Sequence, residues 1–140
     1  MNTQNEIHDI LASQTFAVVG VSRSPEKYGR LVWNMLRQAG KTAYAVNASA
    51  TFIDGERTFA NLDSLPERPE AAVMVVPPAA TEQSVQDCIR LGIKRVWMQP
   101  GAESPEAIRL CEDAGIETVA GGPCIMVLLR TQGMLPKTKN

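Results

Sequence analysis

The segment Ala71-Ala72-Val73-Met74-Val75-Val76 is apolar at every position and stops abruptly at Pro77-Pro78. A strand with one face in water alternates apolar and polar residues. A strand without alternation is covered on both faces, as in the centre of a parallel sheet. Parallel strands need a crossover between them, usually a helix, and the chain has the pattern for it. Three helical patterns stop at a glycine that a strand follows at once: Gly40, Gly92 and Gly115. Strands are predicted at about 16–19, 42–46, 71–76, 95–98 and 117–119. Helices are predicted at about 5–13, 28–39, 81–91, 105–114 and 124–129. The expected fold class is α/β, a three-layer sandwich with a five-stranded parallel sheet. Thr51 to Pro69 is the least regular part, with an Asp54-Gly55 turn and a short helical turn near Leu62 and Leu65. The 140 residues read as one domain, with a core over about 15–129 and a basic tail from Gly133 that frays.

The functional signal begins in Thr15 to Arg30, TFAVVGVSRSPEKYGR. A short β-branched run ends in Gly20, a polar segment follows, and a helical pattern starts. Strand, glycine turn and helix open a nucleotide-binding βαβ unit. The turn and the first helical turn carry N–H groups with no partner inside the helix, and the helix dipole favours an anion there. Ser22 and Ser24 add hydroxyls; Arg23, Lys27 and Arg30 add positive charge. Of the G-x-G-x-x-G fingerprint only Gly20 is in place, since Ser22 and Pro25 stand where the other two glycines belong. By itself Gly20 reads equally well as an ordinary tight turn; the serines and cations behind it favour phosphate.

Ligands of an open α/β sheet lie beyond the carboxyl ends of the strands. The residues there are Gly20-Val21-Ser22, Asn47-Ala48-Ser49, Pro77-Pro78-Ala79, Gln99-Pro100-Gly101 and Gly121-Gly122-Pro123. None is acidic, so the rim has no carboxylate pair for acid–base work and no charged metal cage. Asn47 stands where an NAD enzyme typically carries Asp or Glu for the ribose; it either tolerates a phosphorylated ribose or simply closes the strand. Pro77-Pro78 offers no N–H and forms either a donor-free wall or a rigid break. Cys124 is a candidate thiol at a helix start or a small buried apolar residue, while Cys88 and Cys111 fall on core faces. Trp33 and Trp97 read as packing residues in preference to stacking platforms. The three cysteines form no C-x-x-C pair and suit a reducing cytoplasm. His8, the single histidine, lies outside every glycine turn, which leaves no histidine triad. A net charge of −1 and the lack of a long apolar run argue against nucleic-acid and membrane partners.

The ordered pieces AVVGVS, YAVN, GERTFANLDSLP, VVPP, WMQPGA and AGIETVAGGPCI together resemble the small CoA-binding proteins. These are Rossmann-like domains akin to the N-terminal domain of the succinyl-CoA synthetase α subunit. The resemblance covers Thr15 to Leu129. It implies coenzyme A, or an acyl-CoA, on the strand ends, with the diphosphate at Gly20, Ser22, Arg23 and Ser24. Asn47-Ala48-Ser49 would lie near the ribose phosphate, and Met98-Gln99-Pro100 and Val76-Pro77-Pro78 against the ligand. The candidate ligand-binding set is Gly20, Ser22, Arg23, Ser24, Lys27, Tyr28, Gly29, Arg30, Asn47, Val76, Pro77, Pro78, Met98, Gln99, Pro100 and Gly101, with no catalytic residue and no metal. Two departures stand out. Ala48-Ser49-Ala50 lacks the synthetase-type lysine for the 3′-phosphate, for which Lys27 or Arg30 could substitute. Gly122-Pro123-Cys124 replaces the Asp-Arg-Cys of many small relatives. The synthetase phosphohistidine belongs to another domain, so no ligase activity is expected of these residues. The expected role is a non-catalytic or regulatory CoA-binding module. The alternatives are an NAD(P)-type nucleotide-dependent oxidoreductase and a ligand-free interaction domain. A protein partner is not identified by the sequence.

Overall fold

The computed structural model describes residues 1–136; residues 137–140 of the basic tail lie outside the described residues. β1 (Thr15–Val19) sits at the centre, with β2 (Thr42–Val46) parallel on one side and β5 (Ala71–Met74) parallel on the other. β6 (Arg95–Met98) and β7 (Glu117–Val119) extend the sheet in parallel beyond β5. The four residues of β5 are buried, as its unbroken apolar run requires.

The sheet has seven strands, not five, in the order β3-β4-β2-β1-β5-β6-β7. The two extra strands come from the stretch read as irregular. β3 (Phe52–Ile53) and β4 (Glu56–Phe59) form an antiparallel hairpin, and β4 runs parallel to β2 at Ala45–Thr58 and Val46–Phe59. The Asp54-Gly55 turn joins them with both φ values positive, 50° and 77°, as a two-residue hairpin demands. Periodicity fails here because the hairpin lies at the margin of the sheet, with β3 as the edge strand, and β4, ERTF, has Thr58 as its single buried residue. β5 also ends two residues earlier than predicted. The freed Val75 and Val76 line the crevice described below, and the next helix begins at Pro78 instead of Thr81.

Helices cover both faces. α1 (Gln4–Ala12), α2 (Tyr28–Gln38) and α5 (Ile125–Thr131) lie over the face that presents Phe16 and Val18. α3 (Pro78–Leu91) and α4 (Pro105–Asp113) lie over the face of Ala17, Val19 and Met74. Alternate residues of β1 thus feed two separate cores. Trp33 and Trp97 are both buried packing residues, their indole N–H groups donating to Ala43 O (2.8 Å) and Pro123 O (3.1 Å). Met134, in the tail expected to fray, is half-buried and donates its N–H to Leu129 O at 3.0 Å.

The outer edge of β7 is covered by the N-terminal segment. The Asn2 side chain exchanges hydrogen bonds with Ala120 (2.6 and 2.8 Å), and Glu6 accepts from Thr118 N–H at 2.9 Å. Capping this edge removes a template for strand addition. The chain moves from β1 outward to β2, then returns past β1 to β5, so the topological switch point lies between β1 and β5.

Candidate functional site

At the switch point Gly20 turns the chain with φ +106°. A Cβ there would stand 2.2 Å from Val75 O, so β1 and the end of β5 approach as closely as backbone allows. Gly29, in the first turn of α2, packs on Gly20 in the same way; its Cβ would lie 2.0 Å from Gly20 O. Gly29 thereby does the helix-packing work of the missing third fingerprint glycine, nine residues beyond Gly20.

Three successive carbonyls of this turn are held from within. Asn47 Nδ2 donates to Val21 O at 2.7 Å; Arg30 Nη1 donates to Ser22 O at 3.3 Å and to Arg23 O at 2.9 Å. In a trans peptide the N–H points opposite to the C=O. Inward carbonyls at Val21 and Ser22 therefore turn the N–H groups of Ser22 and Arg23 outward, and neither finds an acceptor among the described residues. The Ser24 N–H is satisfied by Ser22 Oγ at 3.0 Å. Beside them α2 begins without a side-chain cap, leaving the amides of its first turn unpaired. The result is a small nest of donors at the positive end of an eleven-residue helix.

The candidate cations divide. Arg23 and Lys27 are exposed beside the nest and pair with no carboxylate among the described residues. Tyr28 is 69% exposed. Arg30, expected to face phosphate, is turned inward with its side chain 3% exposed; its guanidinium pairs with Asp54 and grips the two turn carbonyls. Asn47, expected near the ribose, spends its amide on Val21 O and its oxygen on the N–H groups of Ser49 (2.7 Å) and Ala50 (2.9 Å). Both residues shape the nest from behind.

Two depressions flank it, and Val76 lines both. One, of about 460 Å³, is walled by Val19, Gly20, Val46, Leu62 and Val76, with Ser22, Asn47, Asn61, Ser84 and Asp87 as polar groups. The sequence reading missed Asn61, Ser84 and Asp87. The last two lie three apart on α3, beside the buried Val85 and Cys88, so helical spacing was the available signal. Asp87 accepts from Arg90 at 3.1 Å, which also holds Asp63 at 2.8 Å. The second depression, of about 400 Å³, is lined by Val75, Val76, Pro77, Pro78 and residues 99–102.

Met98, expected to touch ligand, is instead fully buried in the core beneath α3 and α4. The Gln99 side chain also turns inward: its oxygen accepts from Ile125 N–H at 2.7 Å and its Nε2 contacts Cys124 Sγ at 3.2 Å. It fixes the start of α5. Burial pushes the Cys111 thiol up to about 11 and raises that of Cys88 further still, so neither is a nucleophile near neutral pH. Among the described residues no group of three or more His, Cys, Asp or Glu is placed to hold a metal ion, and no helix is long and apolar enough to cross a membrane.

A donor nest at a switch point suits many phosphate-bearing ligands; comparison with known proteins separates them. The profile of the CoA binding domain family matches residues 14–130. The chain belongs to that family. It is 30% identical over 133 residues to the acetate–CoA ligase (ADP-forming) II subunit alpha of Pyrococcus furiosus, across 87% of this chain and 29% of the subunit. It is 26% identical over 126 residues to acetate–CoA ligase (ADP-forming) I of Archaeoglobus fulgidus, across 83% of this chain and 18% of the ligase. The chain thus spans less than a third of these curated relatives. The solved structure of a conserved hypothetical protein from Pyrococcus furiosus shares 36% identity with a TM-score of 0.77, over 82% of this chain and 98% of that one. The NAD(P) oxidoreductase alternative gains no support from these matches.

Proposed function

We propose that this chain binds coenzyme A or an acyl-CoA through the nest at Ser22 and Arg23, and that it is a binding module without chemistry of its own. The observation that carries the reading is the set of three inward carbonyls, which aims consecutive N–H groups at the spot where α2 begins. A diphosphate satisfies them, with Arg23 and Lys27 supplying mobile positive charge from outside. The apolar depression beside Leu62 and Val76 suits an adenine ring, with Asn61, Ser84 and Asp87 available to its polar edge and ribose. The proline-lined depression suits the pantetheine arm, whose thiol end is then left open for an acyl group. In this reading residues 1–140 act as one domain. The strand ends carry no acid–base pair, and the three free thiols suit the cytoplasm. Carriage or sensing of CoA follows from binding without turnover.

Calorimetry with CoA and acetyl-CoA tests this, with NADH and NADPH as controls. Binding at sub-millimolar concentration is expected for the CoA species alone. The double variant Ser22→Ala, Arg23→Ala should lose on the order of 2 kcal/mol, since a charge-assisted hydrogen bond contributes about 1.5–3 kcal/mol. Saturable NADH binding with none for CoA overturns the proposal.

A further inference from the structure

The charge of Arg30 is buried, and a buried charge is stable only when paired and hydrogen-bonded. Its counter-ion comes from neither of the elements that build the nest. It is Asp54, 24 residues away in sequence, at the tip of the β3–β4 hairpin. Asp54 adopts φ +50°, a left-handed conformation that Asp tolerates better than most residues but that still needs support. Gly55 shares the turn, and Ile53 beside it is buried in the core. The hairpin's other ties are to β2, its turn and α2: β4 meets β2 at two residue pairs, Phe59 packs edge-on against Tyr44 at 5.8 Å, Asn47 N–H donates to Phe59 O at 2.9 Å, Thr58 donates its N–H to Thr51 O at 2.9 Å and its hydroxyl to Ala50 O, and Arg37 reaches Glu56 at 3.2 Å.

From this continuous chain of contacts we infer that Asp54 is a positioning residue for the nest, and that docking of the hairpin and binding of the ligand diphosphate stabilise each other. This rests on the CoA reading for the ligand, but not for the coupling itself. Asp54 holds the Arg30 guanidinium; the guanidinium holds Ser22 O and Arg23 O; those carbonyls decide where the Ser22 and Arg23 N–H groups point. A ligand on the N–H groups strengthens the same peptide units from the other side. Coupling is reciprocal, so CoA must order the hairpin as much as the hairpin favours CoA.

Charge alone predicts the opposite sign. Asp54 partly cancels a positive charge beneath an anion site, so its removal would tighten binding if geometry did not matter. Two variants separate the effects. Asp54→Ala removes charge and acceptor; Asp54→Asn removes the charge and keeps an oxygen that accepts from Arg30. Positioning predicts that Asp54→Ala weakens CoA about 10-fold while Asp54→Asn stays within about 3-fold of wild type. Amide exchange provides a readout that needs no ligand. In the free protein the Ser24 N–H should exchange about 10-fold faster in Asp54→Ala than in wild type, with Ile93 in the opposite core unchanged. Saturating CoA should slow the hairpin N–H of Thr58 in wild type and not in Asp54→Ala. Tighter or unchanged CoA binding in Asp54→Ala overturns the inference, as does an unchanged Ser24 exchange rate. If wild type binds no CoA, the functional reading fails, and Ser24 exchange still decides the coupling. Should Asp54→Ala unfold, Asp54→Ser, whose hydroxyl is one bond short of the carboxylate that meets Arg30, carries the same measurements with the same expected and overturning outcomes.

Discussion

The two halves of the crevice are built on opposite terms. On the β1 side, peptide groups are turned by Asn47 and Arg30 so that donors face out. On the β6 side, Pro77, Pro78 and Pro100 supply no N–H at all, and the polar side chain available, Gln99, is turned inward to α5. The first half presents donors suited to an anion; the second presents a donor-poor apolar wall. Affinity should therefore reside in the β1 half, and variants can break or sharpen that division.

The largest effect is expected at Gly20. Gly20→Ala drives a Cβ to 2.2 Å from Val75 O at a backbone φ of +106°. We expect a loss of about 4 kcal/mol in urea unfolding, with CoA binding abolished. Asn47→Ala comes next. It removes one hydrogen bond to the turn after β1 and two within the turn after β2, costing about 3 kcal/mol of stability at roughly 1 kcal/mol each. CoA affinity should fall with it, measured by calorimetry below the unfolding temperature.

A pH series separates the crevice from the frame that carries it. Burial would raise the Glu6 carboxyl, but hydrogen bonds from Thr118 and Thr3 and the chain's ammonium group outweigh it and hold the group at about 2, below its ordinary 4.5. A depressed acid contributes stability above its unfolded value. The contribution is therefore complete above pH 4.5 and lost as pH falls through about 2. We expect about 2 kcal/mol to disappear over that interval, and Glu6→Gln to flatten the profile. The smallest effect is expected in the proline half. Pro78→Ala should weaken CoA by about 0.5 kcal/mol and leave ADP, which lacks the pantetheine arm, unaffected. A proline variant that weakens both alike would erase the distinction between the halves.

Much of the frame was legible in the residues. β2, β6 and β7 fall where the patterns put them, because buried strands flanked by glycine stops leave little freedom. The hairpin was not legible: ERTF has the composition of a loop and becomes a strand only because β2 offers it an edge. The turn after β1 was legible as a place but not in its wiring. Arg30 read as a ligand for phosphate because charge is visible in a sequence and direction is not. Asn61, Ser84 and Asp87 were missed because they reach the crevice from elements far along the chain.

By itself, the order of residues determined the central parallel strands, the bend at Gly20 and a supply of cations behind it, since these depend on local conformation and on apolar pattern. Only the tertiary structure decided that Arg30 and Asn47 face inward, that Asp54 completes the charge, and that the Ser22 and Arg23 amides are left for a ligand. Those outcomes depend on which distant groups compete for each hydrogen bond, and that competition is settled only once the chain has closed on itself.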